Sequence, residues 1–282
     1  MAAPTLKPKA LVTGAASGIG LALSNYLAGR GYDIYMVDVN TDALNKQAAQ
    51  MQTAYPSLRL HAYACDLSSP EAIIDLIEQI NSDTNYLNVL VNNAGITHRS
   101  LAMQTDISVT QKVMQVDFLA PVQLTQGLYA LLVAGAPKFN ATVINVGSMA
   151  GWMPVMARSS YCAAKSALHQ YFETLRAEWQ DDNIGLLMVY PSFLATEIEN
   201  NALSGTGRRA SHARSTVGRI QTVEWLVSRI DEALGKGAQR LFADRFINLA
   251  SVLYRLCPRW YLRMMRRRFV TELDHPEKEP GQ

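Results

Sequence analysis

Two residues four apart, Tyr161 and Lys165 in the run YCAAK, stand near the start of a long helical stretch, so their side chains share one face. An ammonium beside a phenol favours the phenolate, which is what a tyrosine acting as general acid and base requires. Ser148 stands 13 residues before Tyr161, directly after an apolar strand. The turn does not read G-x-S-x-G, because Val146 occupies the first glycine position, so a hydrolase nucleophile elbow is disfavoured. A second group lies near the N-terminus, where Gly14, Ser17, Gly18, Ile19 and Gly20 turn the first strand into an apolar helix. Glycines there let backbone N–H groups and the positive helix end approach a pyrophosphate. The spacing is G-x-x-x-G-x-G, not the G-x-G-x-x-G of the common dinucleotide fingerprint. Asp38 follows 18 residues beyond Gly20, at the end of the second strand. A carboxylate there accepts from ribose hydroxyls and repels a 2′-phosphate, and neither Ser17 nor Val39 supplies a cation, so NAD(H) is expected rather than NADP(H).

These residues need a scaffold, and the sequence supplies one. Short runs rich in Val, Ile, Leu and Tyr (9–13, 33–38, 59–64, 87–91, 140–146, 184–190, 239–242) alternate with helical stretches (18–30, 42–54, 70–81, 106–133, 159–180, 221–235). That alternation predicts an α/β fold, a doubly wound parallel sheet of about seven strands. Thr41-Asp42 and Ser68-Ser69-Pro70-Glu71 read as helix starts. Only 18% of the 282 residues are charged, which excludes a disordered or polyionic chain. Two neutral 20-residue runs, 10–29 and 118–137, match a membrane span in length, but four glycines with Thr13, Ser17, Ser24 and Asn25 interrupt the first and Pro121, Gln123, Gln126 and Gly127 the second, so they are expected as core elements. The N-terminal segment leads straight into a strand without a secretory pattern, which predicts a cytoplasmic protein. Three dispersed cysteines and five scattered histidines form neither a disulfide framework nor a metal site.

Taken together, Thr13 to Gly20, Asp66-Leu67, Asn92-Asn93-Ala94-Gly95, Ser148, Tyr161 with Lys165, and Pro191 to Thr196 resemble the short-chain dehydrogenase/reductase family in its common, non-extended form, over about residues 8–245. The resemblance implies a nicotinamide-dependent oxidoreductase interconverting a secondary alcohol and a ketone. Tyr161 would exchange the hydroxyl proton, Lys165 would bind the nicotinamide ribose, and Ser148 would position the substrate oxygen. It also implies that Asp66 and Leu67 meet adenine, that Asn93 lies on the adenosine-ribose side, and that Thr196 binds the carboxamide or phosphate. Ile19, Ala94, Gly95 and Pro191 complete the expected cofactor contacts. A homodimer or homotetramer through helices 106–133 and 159–180 is implied as well.

Two positions depart from the family pattern. Val116-Asp117 replaces the usual Val-Asn, whose amide shapes a proton relay to the lysine; Asp cannot donate that bond, and either its carbonyl serves the relay or the relay is weakened. Pro191-Ser192 replaces Pro-Gly. Apolar residues Leu194, Ile198, Leu203, Trp152 and Met153 are candidate pocket linings, pointing to a hydrophobic alcohol or ketone. Two competing readings stay open, a non-catalytic NAD-binding sensor or scaffold and an NADP(H)-linked carbonyl reductase.

The near-neutral net charge of +2 divides unevenly. Residues 1–205 carry 11 Lys/Arg against 16 Asp/Glu, and residues 206–282 carry 15 against 8. An acidic main body argues against a nucleic-acid partner. The chain therefore reads as a catalytic domain, 1–245, with a basic C-terminal extension, 246–282. Helical spacing there puts Arg259, Arg263, Arg266 and Arg267 on one face and Trp260, Tyr261, Met264, Met265 and Phe269 around the other. Peripheral membrane contact through 246–270 and packing on the chain's own domain or on a partner subunit both fit this pattern.

Overall fold

The computed structural model describes residues 6–191, 194, 201–210, 221–243 and 245–268. Seven parallel strands form one sheet: β1 (Lys9–Thr13), β2 (Asp33–Asp38), β3 (Leu60–Ala64), β4 (Val89–Asn92), β5 (Ala141–Val146), β6 (Ile184–Tyr190) and β7 (Arg240–Phe242). Their spatial order is β3-β2-β1-β4-β5-β6-β7. The order reverses between β1 and β4, and at such a switch point the loops beyond the strand ends part to leave a crevice.

Period-two alternation in the strands assigns side chains to the two faces. Leu11, Val143, Leu186 and Met188 point to one side, where they meet α3 (Pro70–Asp83), α5 (Ala120–Gly127), α6 (Tyr129–Phe139) and α7 (Ser159–Glu178). Ala10, Val12, Ile144 and Leu187 point to the other, against α1 (Gly18–Gly29), α2 (Thr41–Ala54) and α8 (Val223–Gly235). With both faces covered, the strands can be apolar throughout, which accounts for the low charge of the sequence.

Helix starts follow the expected chemistry with one shift. Ser69 caps α3 by accepting from the Ala72 N–H, with Pro70 at the first helical position. For α2 the cap is Asn40, accepting from Ala43 N–H, and Thr41 is already helical.

The stretch read as one helix over 106–133 is not one helix. It comprises α4 (Ile107–Met114), a π turn over Gln115–Leu119 and α5, then bends by 65° at Leu128 into α6, which runs on to Phe139. The π turn precedes Pro121, which has no N–H for the Asp117 carbonyl four residues back and whose ring would press on it, so the helix widens, with Ala120 N–H reaching Gln115 O. At the bend, a Cβ on Gly127 would lie 2.6 Å from Ile77 of α3, and the Gly127 carbonyl accepts from Asn81 Nδ2. Close approach to α3 thus takes the chain out of its first axis. Among the described residues no single helix is long and apolar enough to cross a membrane.

Beyond β7 the chain forms α9 (Arg245–Leu256) and α10 (Pro258–Arg268). Tyr261 and Met265 of α10 are buried against Met153, Val155 and Met156, and the Tyr261 hydroxyl donates to Pro154 O at 3.3 Å.

Candidate active site

The glycine turn is built by contact distances that admit no side chain. Gly14 sits at φ +67° and Gly18 at φ +52°, in the left-handed region. A Cβ on Gly20 would lie 2.1 Å from Gly14 O, so the first turn of α1 rests directly on the loop. The opening N–H groups of α1 have no intrahelical acceptor by position and face the crevice end of the helix, where an anion is favoured. Ser17, extended at the N-cap, makes no capping bond with its side chain. The fit to a pyrophosphate depends on this close-packed cradle: a Cβ at Gly14 would lie 2.8 Å from Asn93 Nδ2 and one at Gly20 2.1 Å from Gly14 O, and either would push the loop out of the shape that presents its N–H groups.

Across the switch point the loop is tied to β4. Thr13 Oγ1 accepts from the N–H groups of Asn93 and Ala94, each at 3.0 Å, and donates to Val91 O. Asn93 Nδ2 donates to Thr13 O at 2.9 Å. Asp38 lies at the end of β2, beside the same loop. Its Oδ2 accepts from Ala16 N–H at 3.0 Å and its Oδ1 from Asn40 N–H at 2.9 Å, which hold the carboxylate beside the cradle. Asp66, at the end of the neighbouring β3, accepts from Ser68 N–H and Ser68 Oγ. Burial works to raise the Asp66 carboxyl, but these two bonds together with the Lys112 cation hold it below the usual range. Leu67 beside it is buried.

Tyr161 and Lys165 occupy successive turns of α7, as their spacing requires, with the ammonium 5.8 Å from the phenol ring centroid. Lys165 is 5% exposed and donates to Val146 O at 3.2 Å. Ser148 ends the loop after β5 and opens a short turn over Met149–Gly151, its Oγ accepting from Ala150 N–H. That turn lies on α7: a Cβ on Gly151 would be 2.7 Å from Lys165 O, and Ser166 Oγ donates to Gly151 O. These two contacts at Gly151 seat the serine loop against the helix carrying Tyr161 and Lys165.

Asp117, in the π turn, is fully buried in the same place. Its Oδ1 accepts from Ile96 N–H at 2.7 Å, and its Oδ2, 3.9 Å from Lys165 Nζ, has no hydrogen-bond partner. Burial pushes its carboxyl up to about 6, against the pull of the Lys165 ammonium and the Ile96 N–H. Gly95 leaves room for this pair; a Cβ there would be 3.0 Å from Asp117 Oδ1.

The sequence-predicted residues thus fall into two adjoining groups along the crevice. Gly14, Ser17, Gly18, Ile19, Gly20, Asp38, Asn93 and Ala94 surround the cradle, with Asp66 and Leu67 at its β3 side. Gly95, Asp117, Ser148, Tyr161 and Lys165 gather around α7. Pro191 follows β6 directly, and Thr196 and Ile198 lie outside the described residues. Of the expected linings, Leu203 packs, as Tyr161 does, against the cluster of Val109, Val113 and Ala164. Leu194 is instead buried among Val189 and Leu226, on the other face of the sheet. Trp152 joins an aromatic cluster with His169, Tyr190 and Phe242, and Met153 lies under α10.

Sequence reasoning passed over His98. It is fully buried, its Nε2 accepts from Ser160 N–H at 3.1 Å and its Nδ1 lies 3.1 Å from Ser100 Oγ. It therefore satisfies a first-turn N–H of α7 next to Tyr161, the role a side-chain cap plays elsewhere. Burial, helped by the nearby Arg158 cation, lowers its pKa to about 4, so it is neutral, and its Nδ1–H donates to Ser100. The Asn92 and Asn145 side chains, paired in register across β4 and β5 and bonded at 2.8 Å, form a second buried polar contact that the strand pattern did not reveal.

Comparison with known proteins agrees with this geometry. The short chain dehydrogenase family model matches residues 8–207. The chain belongs to the short-chain dehydrogenase/reductase family. It is 28% identical over 263 residues to dehydrogenase/reductase SDR family member 7B of Rattus norvegicus, covering 92% of this chain and 80% of the relative. Among solved structures, a short-chain dehydrogenase from Sphingobium yanoikuyae in complex with NADPH superposes with a TM-score of 0.73 at 20% identity, covering 98% and 99% of the two chains. The Pseudomonas aeruginosa RhlG/NADP active-site complex gives 0.62 at 29% identity, covering 68% and 74%. Family membership makes this chain an oxidoreductase by descent, with a parallel Rossmann-type sheet.

Proposed function

We propose that this chain is an NAD(H)-dependent oxidoreductase interconverting a secondary alcohol and a ketone on a hydrophobic substrate. The observation that carries the reading is the buried Lys165 ammonium beside the Tyr161 ring, with the Ser148 turn seated on the same helix. A bound nicotinamide supplies hydride transfer, and the protein supplies orientation and proton handling.

Tyr161 holds the proton that moves to or from the substrate oxygen, and Lys165 stabilises the charge left on the phenol oxygen when it leaves. Ser148 Oγ already accepts from Ala150 N–H, which leaves its hydroxyl hydrogen free to orient that same substrate oxygen. One of the three Lys165 donors goes to Val146 O and another side of the ammonium faces Asp117, leaving a donor for a ribose hydroxyl. Asp117 is a proton-relay group behind Lys165. Its backbone carbonyl cannot bond to Pro121, and its buried Oδ2, without a hydrogen-bond partner, faces the Lys165 ammonium at 3.9 Å. Gly14, Ser17, Gly18, Ile19 and Gly20 cradle the pyrophosphate, and Asp66, Leu67, Asn93, Ala94, Gly95, Pro191 and Thr196 complete the cofactor site.

Asp38 supports NAD(H): its carboxylate is fixed by two backbone N–H groups where a 2′-phosphate would lie, and its exposed neighbours Val39 and Asn40 offer no cation. The NADP(H)-linked reading is favoured by the NADPH and NADP of the solved relatives. Titrating both reduced cofactors separates the two, since tighter binding of NADPH would overturn the NAD(H) assignment. Tyr161→Phe is expected to abolish turnover of secondary alcohols while leaving cofactor affinity within about twofold. Unchanged turnover would remove Tyr161 from its role, and cofactor binding without turnover of any alcohol or ketone by the unmodified chain would favour a sensor.

A further inference from the structure

The outer face of α9 and α10 is not used by the site above. Residues 245–268 contain seven arginines and no Asp or Glu. In α9 the buried side carries Ser251, with Ala250 and Tyr254 packed against Tyr261 and Met265. On the opposite side Leu249, Val252 and Leu256 form an i, i+3, i+7 stripe, with Leu249 65% and Leu256 74% exposed. Trp260, 56% exposed, and Met264 extend the apolar surface onto α10. Arg255, Arg259, Arg263, Arg266 and Arg267 are all exposed around this stripe. Among the described residues none of these five guanidiniums forms a salt bridge.

We propose that this face docks on an anionic lipid surface. Apolar side chains on the outside of a helix pair have no internal role, and interleaved arginines match a layer of phosphate headgroups over acyl chains. A two-fold pairing with a second copy would bring the same arginines together and is disfavoured by repulsion. The face is fixed to the body through Tyr261, Met265 and residues 153–156, just beyond the Ser148 turn, so docking would place that side of the crevice at the lipid boundary. The inference rests on exposure and charge, not on the oxidoreductase reading.

The test is co-sedimentation of the full chain with vesicles of phosphatidylcholine alone and of phosphatidylcholine mixed with phosphatidylglycerol. The chain is expected to pellet with the mixed vesicles at low salt, not with phosphatidylcholine, and to be released as salt rises. Leu256→Glu/Trp260→Glu and Arg259→Glu/Arg263→Glu should each lower the partition by at least about tenfold. All four positions are exposed, and an unchanged melting temperature with unchanged NADH fluorescence titration shows that each variant is folded. Absence of vesicle binding, equal binding to both vesicle types, or binding unaffected by either variant would overturn the proposal. A dimer that the Leu256→Glu/Trp260→Glu variant dissociates, in a chain that ignores vesicles, would assign the face to a second copy instead.

Discussion

His98 makes a measurable link between acidity and the helix that carries Tyr161. Its imidazole is buried and neutral because Nε2 must accept from Ser160 N–H, and a proton there would both strand a charge and remove the acceptor. In the unfolded chain the imidazole titrates at about 6.5, in the fold at about 4. Between these values the unfolded state binds the extra proton, so stability is complete above about pH 6.5 and falls as pH drops toward 4. At about 1.4 kcal/mol per pK unit the full difference is about 3 kcal/mol, of which about 2 kcal/mol is lost between pH 7 and pH 5. Other groups titrate in the same range. Asp117, whose carboxyl is raised, contributes with the opposite sign, stabilising the fold as it protonates below about 6. The informative quantity is therefore a difference: urea unfolding of the natural chain and of His98→Gln at both pH values. Glutamine retains an acceptor for Ser160 N–H but does not titrate. The natural chain should lose about 2 kcal/mol more than the variant. Parallel losses, agreeing within about 0.5 kcal/mol, would refute the assignment of His98 as a neutral cap.

Three further outcomes follow from the geometry. Gly20→Ala, whose methyl would meet Gly14 O at 2.1 Å, should weaken cofactor binding by more than about tenfold in a fluorescence titration; unchanged affinity would mean that the cradle does not hold the pyrophosphate. Asp117→Asn should remove the acidic limb near pH 6 from the pH-rate profile of any alcohol turned over, whereas persistence of that limb would exclude Asp117 from the relay. Asn88, buried where β4 meets α6, accepts from Lys9 N–H and donates to the Gly135 and Asn140 carbonyls. Asn88→Ala should cost about 2–4 kcal/mol in urea unfolding, and a loss below about 1 kcal/mol would show that water replaces the amide.

What could be read from the sequence was mostly local. Tyr161 and Lys165 share a face because four residues make one turn, and Asp38 falls at a strand end because β2 is a bounded apolar run. The strand positions followed from the Val, Ile and Leu runs, since both sheet faces are buried. Features set by distant contacts were not legible. The Leu128 bend depends on Gly127 meeting Ile77, 50 residues earlier, and the His98 bond to Ser160 spans 62 positions. The Asn92–Asn145 pair becomes visible only when β4 and β5 are aligned in register. The basic extension was legible as amphipathic but not in its orientation: Tyr261 and Met265 turn inward, and Trp260 and Met264, grouped with them by type, face outward.

The latch between β1 and β4 has a thermodynamic consequence. Thr13 and Asn93 join the two sides of the switch point by hydrogen bonds that belong to the fold alone, so the crevice has its shape before any ligand arrives. Ordering entropy that a floppy phosphate loop would surrender at each binding event is surrendered once, when the chain folds. Cofactor can then enter and leave through every turnover without the loop folding and unfolding around it, and loss of the Thr13 hydroxyl would be felt first as weaker binding rather than as altered proton transfer.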